Sequence, residues 1–473
     1  MKSINAIRFG GQDVLPLIEG GKGVSVSTGV SAGHWAAAGG IGTVSAVNAD
    51  SYDEDGNRVP QIYHGRTRRD RQQELIRYAI DGGITQVKIA REISGGKGRV
   101  HVNILWEMGG AEEIIHGILE GVPGLVQGVT CGAGMPYRLS EIATQFAVPY
   151  YPIVSSGRAF NALWRRAYSK APELLGGVVY EDPWRAGGHN GLSNSENPLL
   201  PEDPYPRVLE LRNVMRKYGL DETPIIMAGG VWSLGEWEDW IDNPELGPIA
   251  FQFGTRPLLT QESPIPDAWK RRLRNLKQGD VYLNRFSPTG FYSSAVNNSF
   301  MQDLRGRSER QVAYSMEPIG EHNTAYGVGV RKREVFVTAA DRWHISEWEA
   351  AGFTEALRTP DTTLVFVTPE SAKQIVDDQA ACMGCLSECR FSNWSQRAPT
   401  YSNGQKADPR SFCIQKTLQS IAHDGNGPNG DEVVDHNLMF GGTNAWRFGT
   451  DPFYANGFTP TVGQLVERIL TGQ

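Results

Sequence analysis

Hydrophobic and polar positions follow two rhythms along roughly the first 260 residues. Short apolar runs occur at 23–28, 41–47, 99–105, 124–130, 148–154, 176–182, 224–230 and 248–255, and each reads as a strand. Between them, apolar residues recur every three or four positions. Over 67–81, Leu75/Ala79 and Ile76/Ile80 stand four apart with Gly82 as a stop. Helices are expected over 110–120, 138–146 and 157–168. Residues 206–218 carry Val208, Leu211, Met215 and Tyr218 on one face, between Pro206 and Gly219. Ser233 with Glu236 three residues later reads as a capping box opening one more helix. Strands apolar on both faces suit a parallel sheet covered by helices. Eight such units match a TIM (β/α)8 barrel over residues 1–285. A doubly wound open sheet is the alternative.

Beyond 285 the rhythm changes. Residues 286–380 are irregular and polar, then read as a small βαβα unit: a helix at 299–311, strands at 334–340 and 363–368, a helix near 346–357, and a helix opened by Thr368 and Pro369. Residues 381–473 form a Cys-rich α+β region, with loops over 395–432 where Asn, Gly, Asp and Pro collect. A helix is expected near 461–471, and the aromatic-rich stretch 441–458 is expected to pack back against the barrel. No internal repeat is visible.

Composition narrows the functional classes. Lys+Arg 46 against Asp+Glu 53 gives a net charge of −7, which excludes a globally basic nucleic-acid binder. The basic runs 270–277, 305–310 and 331–334 leave a local patch for a phosphate-bearing carrier, a CoA substrate or RNA open. No apolar run is long enough for a membrane-spanning helix, and the start lacks the apolar core of a signal peptide. A cytoplasmic protein is expected. Five Cys are too few and too odd for a disulfide framework, so clustered Cys read as metal ligands. Glycine is abundant, at 55 residues, and falls among apolar runs, as tight loops or close backbone approach to a ligand require.

Chemistry in such barrels sits on the loops after the strands, often with a phosphate near strands 7 and 8. The seventh run ends in Gly229-Gly230 and the eighth in Gly254-Thr255, where exposed N–H groups suit a phosphate. Tight turns are the plainer reading of each pair alone. The sixth run leads into Gly187-Gly188-His189, a histidine in a loop stripped of side chains and fit for acid, base or hydrogen-bond work. Ser27, Thr28 and Gly29 after the first run, and Asn103 in the third, offer polar groups to a ring system. His34 reads as structural or at the rim, and Cys131 as a small buried thiol.

Cys382, Cys385 and Cys389 stand as C-x2-C-x3-C, with Cys413 a remote fourth. Three thiolates this close, closed by a distant fourth, suit a [4Fe–4S] cubane, whereas paired C-x2-C knuckles are the usual tetrahedral zinc pattern. Zinc remains the alternative. His423 and His436 are further possible ligands, expected in solvated loops.

The segments STGVSAGHWAAAGGIGTVSA, HVNIL, AGGHNG, IIMAGG and FQFGTR, in this order over about residues 20–262, resemble the nitropropane dioxygenase-like family of nitronate monooxygenases and flavin-dependent enoyl reductases. The resemblance implies an FMN-binding TIM barrel. It places the phosphate at Gly229, Gly230, Gly254 and Thr255, the isoalloxazine against Ser27–Gly29 and near Asn103, and His189 beside flavin N5 and the substrate, with Gly187 and Gly188 against the cofactor. Glu181-Asp182-Pro183-Trp184-Arg185 replaces the smaller residues usual before the GGH motif, and the C-terminal region is absent from ordinary nitronate monooxygenases. The Cys triple resembles the cluster motif of flavin barrels such as 2,4-dienoyl-CoA reductase. The expected protein is an FMN oxidoreductase using NAD(P)H on a small or carrier-linked substrate, possible as a homo-oligomer. The alternatives are an electron-transfer or binding protein built around the cluster, and a flavin-dependent RNA-modifying enzyme.

Overall fold

The computed structural model describes residues 2–472. Eight parallel strands close into a barrel: β1 (Leu17–Glu19), β2 (Ile41–Ser45), β3 (Arg99–Leu105), β4 (Gly128–Gly132), β5 (Tyr150–Val154), β6 (Val178–Glu181), β7 (Ile225–Ala228) and β8 (Ile249–Phe253). Consecutive strands pair in register, and β8 closes on β1 through Phe251↔Leu17. The open-sheet alternative is therefore excluded. Ile18, Ile41, Tyr151, Val179, Ile226 and Ala250 fill the interior. A hairpin, Ile7–Phe9 with Gln12–Val14, plugs the N-terminal end of the barrel, where Arg99 Nη1 donates to the Phe9 carbonyl at 2.8 Å.

The outer faces of the strands pack on α1 (Gly29–Ala37), α2 (Arg68–Ser94), α3 (Ala111–Gly121), α4 (Leu139–Phe146), α5 (Gly157–Arg166) and α6 (Pro204–Arg216). Gly82 does not stop α2. A Cβ on Gly82 would stand 1.9 Å from the Ala49 carbonyl oxygen, so the glycine lets the helix lie against that loop; the stop is Gly95, at φ +57°. Residues 23–28 are not a strand. Val24 and Val26 are buried against the C-terminal region rather than in a sheet, which is why they read as one. The first strand is the preceding Leu17–Glu19. After β7, Ser233 opens only a 3-10 turn, Leu234–Trp237, because its hydroxyl engages the Glu236 carboxylate at 3.0 Å and caps no backbone N–H.

The eighth barrel helix comes from far along the chain. α13 (Val462–Thr471) buries Val462, Leu465, Val466 and Ile469 in the barrel's outer core and packs on α1. Val462 N–H donates to Glu262, 200 residues away. Everything between β8 and α13 is thus inserted within one βα unit. It contains α7 (Asp267–Arg274), the hairpin β9 (Val281–Asn284) and β10 (Ser293–Val296), and α8 (Ser299–Glu309). A small antiparallel unit follows: β11 (Gln311–Ala313), β12 (Thr324–Val328), β13 (Arg333–Val337), α9 (Ala339–Ala350), β14 (Glu355–Arg358) and β15 (Thr363–Val367), with sheet order β11-β15-β14 beside the β12-β13 hairpin. The βαβα expectation fails here on strand direction. α9 starts at Thr338, whose hydroxyl accepts from the Asp341 N–H, not near 346, and ends before Gly352 at φ +94°. α10 (Pro369–Ala380) is capped by Thr368 and leads to the first Cys. Residues 395–432 are not all loop, since α11 (Ile414–Asp424) begins at Cys413. No helix among the described residues is long and apolar enough to cross a membrane.

Candidate functional site

Strand alternation fixes what the mouth of the barrel presents. Two residues beyond the interior positions Ile18, His101, Tyr151, Val179 and Ala250 come Gly20, Asn103, Ile153, Glu181 and Gln252. These residues, with Thr130, floor the main cavity of the molecule. The β1–α1 loop supplies its edge. Lys22 Nζ donates to Glu19 Oε1 and to the Gly20 carbonyl, both at 2.9 Å. A Cβ on Gly21 would lie 2.4 Å from Asn103, so that loop rests directly on the floor.

Ser27, Thr28 and Gly29 do not reach this cavity. Ser27 Oγ accepts from the Lys22 N–H at 2.8 Å, and Thr28 caps α1. Gly29 donates to Gln86 at 2.6 Å and abuts the α2 backbone. The loop contact belongs instead to Gly20–Gly23. Cys131 is buried between barrel and helices, and burial raises its thiol pKa.

At the ends of β7 and β8 the predicted glycines come together. Gly229 and Gly230 take φ +89° and +81°, and open space lies where a Cβ on Gly254 would stand. Residues 440–444 cover them: Gly442 N–H donates to Thr255 Oγ1 at 2.8 Å, and Asn444 Nδ2 to the Gly230 carbonyl at 3.1 Å. A Cβ on Gly187 would stand 2.6 Å from Gly441, so barrel and cover touch backbone to backbone. The aromatic content of 441–458 pointed that stretch toward the barrel, but nothing in the local sequence marked 440–444 as the cover of this cradle.

His189 sits on the cavity wall in a two-residue strand, Gly188–His189, paired with β10 through Ser293. Its Nε2 shares a 2.5 Å hydrogen bond with Ser287 Oγ, which in turn bonds Thr289 Oγ1 at 2.9 Å. The Phe440 ring stands against it at 5.5 Å. Burial lowers its pKa to about 4, so the imidazole is neutral at ordinary pH, with one donor and one acceptor nitrogen. Burial, and then the Asp182 charge, raise Glu181 to about 8. Asp182 itself accepts from the Trp184 and Arg185 N–H groups at 2.9 and 3.0 Å.

The four clustered cysteines converge. Cys382 follows α10, Cys389 pairs with Trp394 in a short hairpin, Cys413 is the N-cap residue of α11, and together with Cys385 they line one small enclosed cavity. Backbone N–H groups of Gln415 and Lys416, in the first turn of α11, point at Cys385 and Cys413, and Ser392 Oγ donates to Cys382 Sγ at 3.1 Å. Burial and the neighbouring thiols push Cys389 up to about 11; burial does most to push Cys413 up to about 12. Among the described residues, no group of three or more His, Cys, Asp or Glu is arranged to hold a metal ion. The cysteine loop is fixed to the barrel: Arg71 Nε donates to the Cys382 carbonyl at 2.9 Å and the Gly109 N–H to the Cys385 carbonyl at 3.0 Å. Cys385 lines both this cavity and the main one. His423 lies elsewhere, on α11, bonded to Asp50 at 3.1 Å rather than in a solvated loop, and His436 ends the short helix α12 (Gly430–Asp435). His34, on α1, is exposed and off the cavity. Two of the basic runs are partly neutralised, Arg271 by Asp431 at 2.8 Å and Arg307 by Asp303.

No protein-family model and no curated protein matches the chain. Among solved structures, FabK from Thermotoga maritima is similar at 18% identity and a TM-score of 0.42, over 61% of this chain and 73% of that one. A nitroalkane oxidase from Streptomyces ansochromogenes is similar at 18% identity and a TM-score of 0.45, over 61% of this chain and 78% of that one.

Proposed function

We propose that the protein is a flavin-dependent oxidoreductase: FMN in the main cavity, NAD(P)H as reductant, and a [4Fe–4S] cluster on Cys382, Cys385, Cys389 and Cys413. The observation that carries the reading is the cradle at the ends of β7 and β8, joined in one cavity to an amide- and hydroxyl-lined floor and a neutral His189. Positive-φ Gly229 and Gly230 at the end of the seventh strand, with open space at Gly254 after the eighth, suit a phosphate. Asn103, Thr130 and Gln252 present the hydrogen-bonding groups that the edge of a flavin ring requires. Bound flavin would supply hydride chemistry, and His189 would orient the reacting group of a small or carrier-linked substrate.

The four thiols line one small cavity, and N–H groups aim at Cys385 and Cys413. The spacing of three close cysteines closed by the remote Cys413 is what favours a polynuclear cluster over zinc. A cluster there would share the Cys385 wall with the flavin, which fits passage of single electrons between them. The cytoplasmic expectation is part of the same proposal, since thiols persist reduced there.

Anaerobically purified protein is the test. The expected result is a yellow-brown protein that releases FMN on denaturation, carries about four irons per chain as a cubane requires, and bleaches rapidly with NAD(P)H. Release of FAD, or the absence of any flavin, would overturn the cofactor assignment. One zinc and no iron would overturn the cluster alone.

A further inference from the structure

The cavity wall carries six ionisable side chains, and five already have partners. Lys22 is held by Glu19, Glu107 Oε2 accepts from Ser387 Oγ at 2.7 Å, Arg185 faces Asp182 at 3.9 Å, His189 bonds Ser287, and Cys385 receives the Gln415 N–H. Glu181 is the sixth. Among the described residues its carboxyl group has no hydrogen-bond or ion-pair partner. Its position is fixed by strand register: it pairs with Ala228 at the last rung of β6 and stands one layer above Val179, as part of the cavity floor. Its own neighbour Asp182 is turned to the Trp184 and Arg185 N–H groups, so it adds a like charge and no hydrogen bond.

Glu181 is half-buried, and its carboxyl faces a cavity wall that offers it no donor, so the protein supplies no hydrogen bond to the ionised form and the protonated form is favoured. We propose that Glu181, set by strand register at the mouth of the barrel and without a partner on the cavity wall, is a catalytic acid of this cavity that gives its proton to the substrate. The inference rests on the flavin-reductase reading and extends it. In the reduction of a conjugated carbonyl, the β-carbon receives a hydride and the α-carbon receives the proton from Glu181. The C=C bond becomes C–C, and both electrons come from the nicotinamide by way of the flavin. The Glu181 carboxylate then regains a proton from water. His189 and Glu181 have environments that drive their pKa values apart, to about 4 and about 8, the pattern by which a site separates a neutral hydrogen-bonding base from an acid.

The test uses the full-length holoenzyme, Glu181→Gln and, in case Gln perturbs the floor, Glu181→Asp. Wild-type turnover of an enoyl thioester should fall as pH rises through about 8. In Glu181→Gln, kcat should drop by roughly 10²-fold or more with flavin retained, and the alkaline fall should vanish. Glu181→Asp should restore a titrating limb. Infrared difference spectra of wild type should show a carboxylic-acid carbonyl band that disappears over the same pH range and is missing in Glu181→Gln. An unchanged alkaline limb in Glu181→Gln, or no such band in wild type, would overturn the proposal. If wild type carries the band but turns over no enoyl acceptor, the reductase reading fails while the protonated carboxyl stands, so the two failures are distinguishable.

Discussion

The cavity has a floor and a roof built on different principles. The floor comes from regular elements: one residue at the mouth of each contributing strand, aimed by alternation and held by a closed ladder of hydrogen bonds. The roof comes from irregular chain between β8 and α13. It comprises the cysteine loop, the start of α11 and residues 440–444, held to the barrel by polar bonds and close glycine contacts. A side chain on the floor is thus placed by the whole barrel, whereas one in the roof is placed by a few local bonds. Damage to the first should spread through the molecule, and damage to the second should stay local.

His189 stands where the two meet, and its removal should show the largest effect. His189→Ala is expected to keep the fold and the flavin while kcat/KM falls by roughly 10²–10⁴, about 2.7–5.4 kcal/mol of barrier. Steady-state kinetics beside circular dichroism checks both halves. Next comes Gly42 in β2, where a Cβ would lie 1.8 Å from the Ala32 carbonyl oxygen of α1. Gly42→Val should lower global stability by about 3 kcal/mol or more, since neither backbone can yield easily. A urea unfolding curve unchanged from wild type would contradict the placement of the barrel wall. The roof counterpart is Gly384, at φ +67° with the Trp394 ring 2.7 Å from a Cβ. Gly384→Val should raise deuterium exchange across 381–413, leaving exchange in β3–β6 as in wild type. Exchange rising equally in both would erase the distinction between floor and roof.

The smallest effect concerns pH. The pKa of His189 is about 4 in the fold and ordinarily 6.5, so between those values the unfolded chain takes up a proton that the folded chain refuses. Stability should therefore fall as pH drops through that window, and His189→Gln should lessen the fall. Urea midpoints at pH 7 and pH 5 for both proteins give the difference.

The floor was largely legible in sequence because a strand's alternation is a local property. Seven of the eight apolar runs overlap barrel strands, and Gly229, Gly230, Gly254, Thr255, Asn103 and His189 all reach the cavity. β1 was missed for a physical reason. It is three residues long, preceded by Pro16, and ends in Glu19, whose burial depends on Lys22 and Ser31. Val24 and Val26 mimicked it, because burial against an unforeseen roof leaves the same apolar mark as burial in a sheet. The roof was legible only where chemistry itself is the signal, in the spacing of the cysteines. That Gly441, Gly442 and Phe440 would close the cavity is a fact of long-range packing, which no local pattern carries. Glu181 was visible as a letter, but its missing partners were not.

The position of α13 has a consequence for assembly. As the chain emerges from a ribosome, all eight strands appear before the helix that covers the seam between β8 and α1, since the bond joining Val462 to Glu262 spans 200 residues. Until then the barrel carries an apolar strip open to water, a state prone to association. Closing so long a loop is slow by the logic of contact order. The cysteine loop emerges within that same interval, before the last helix docks.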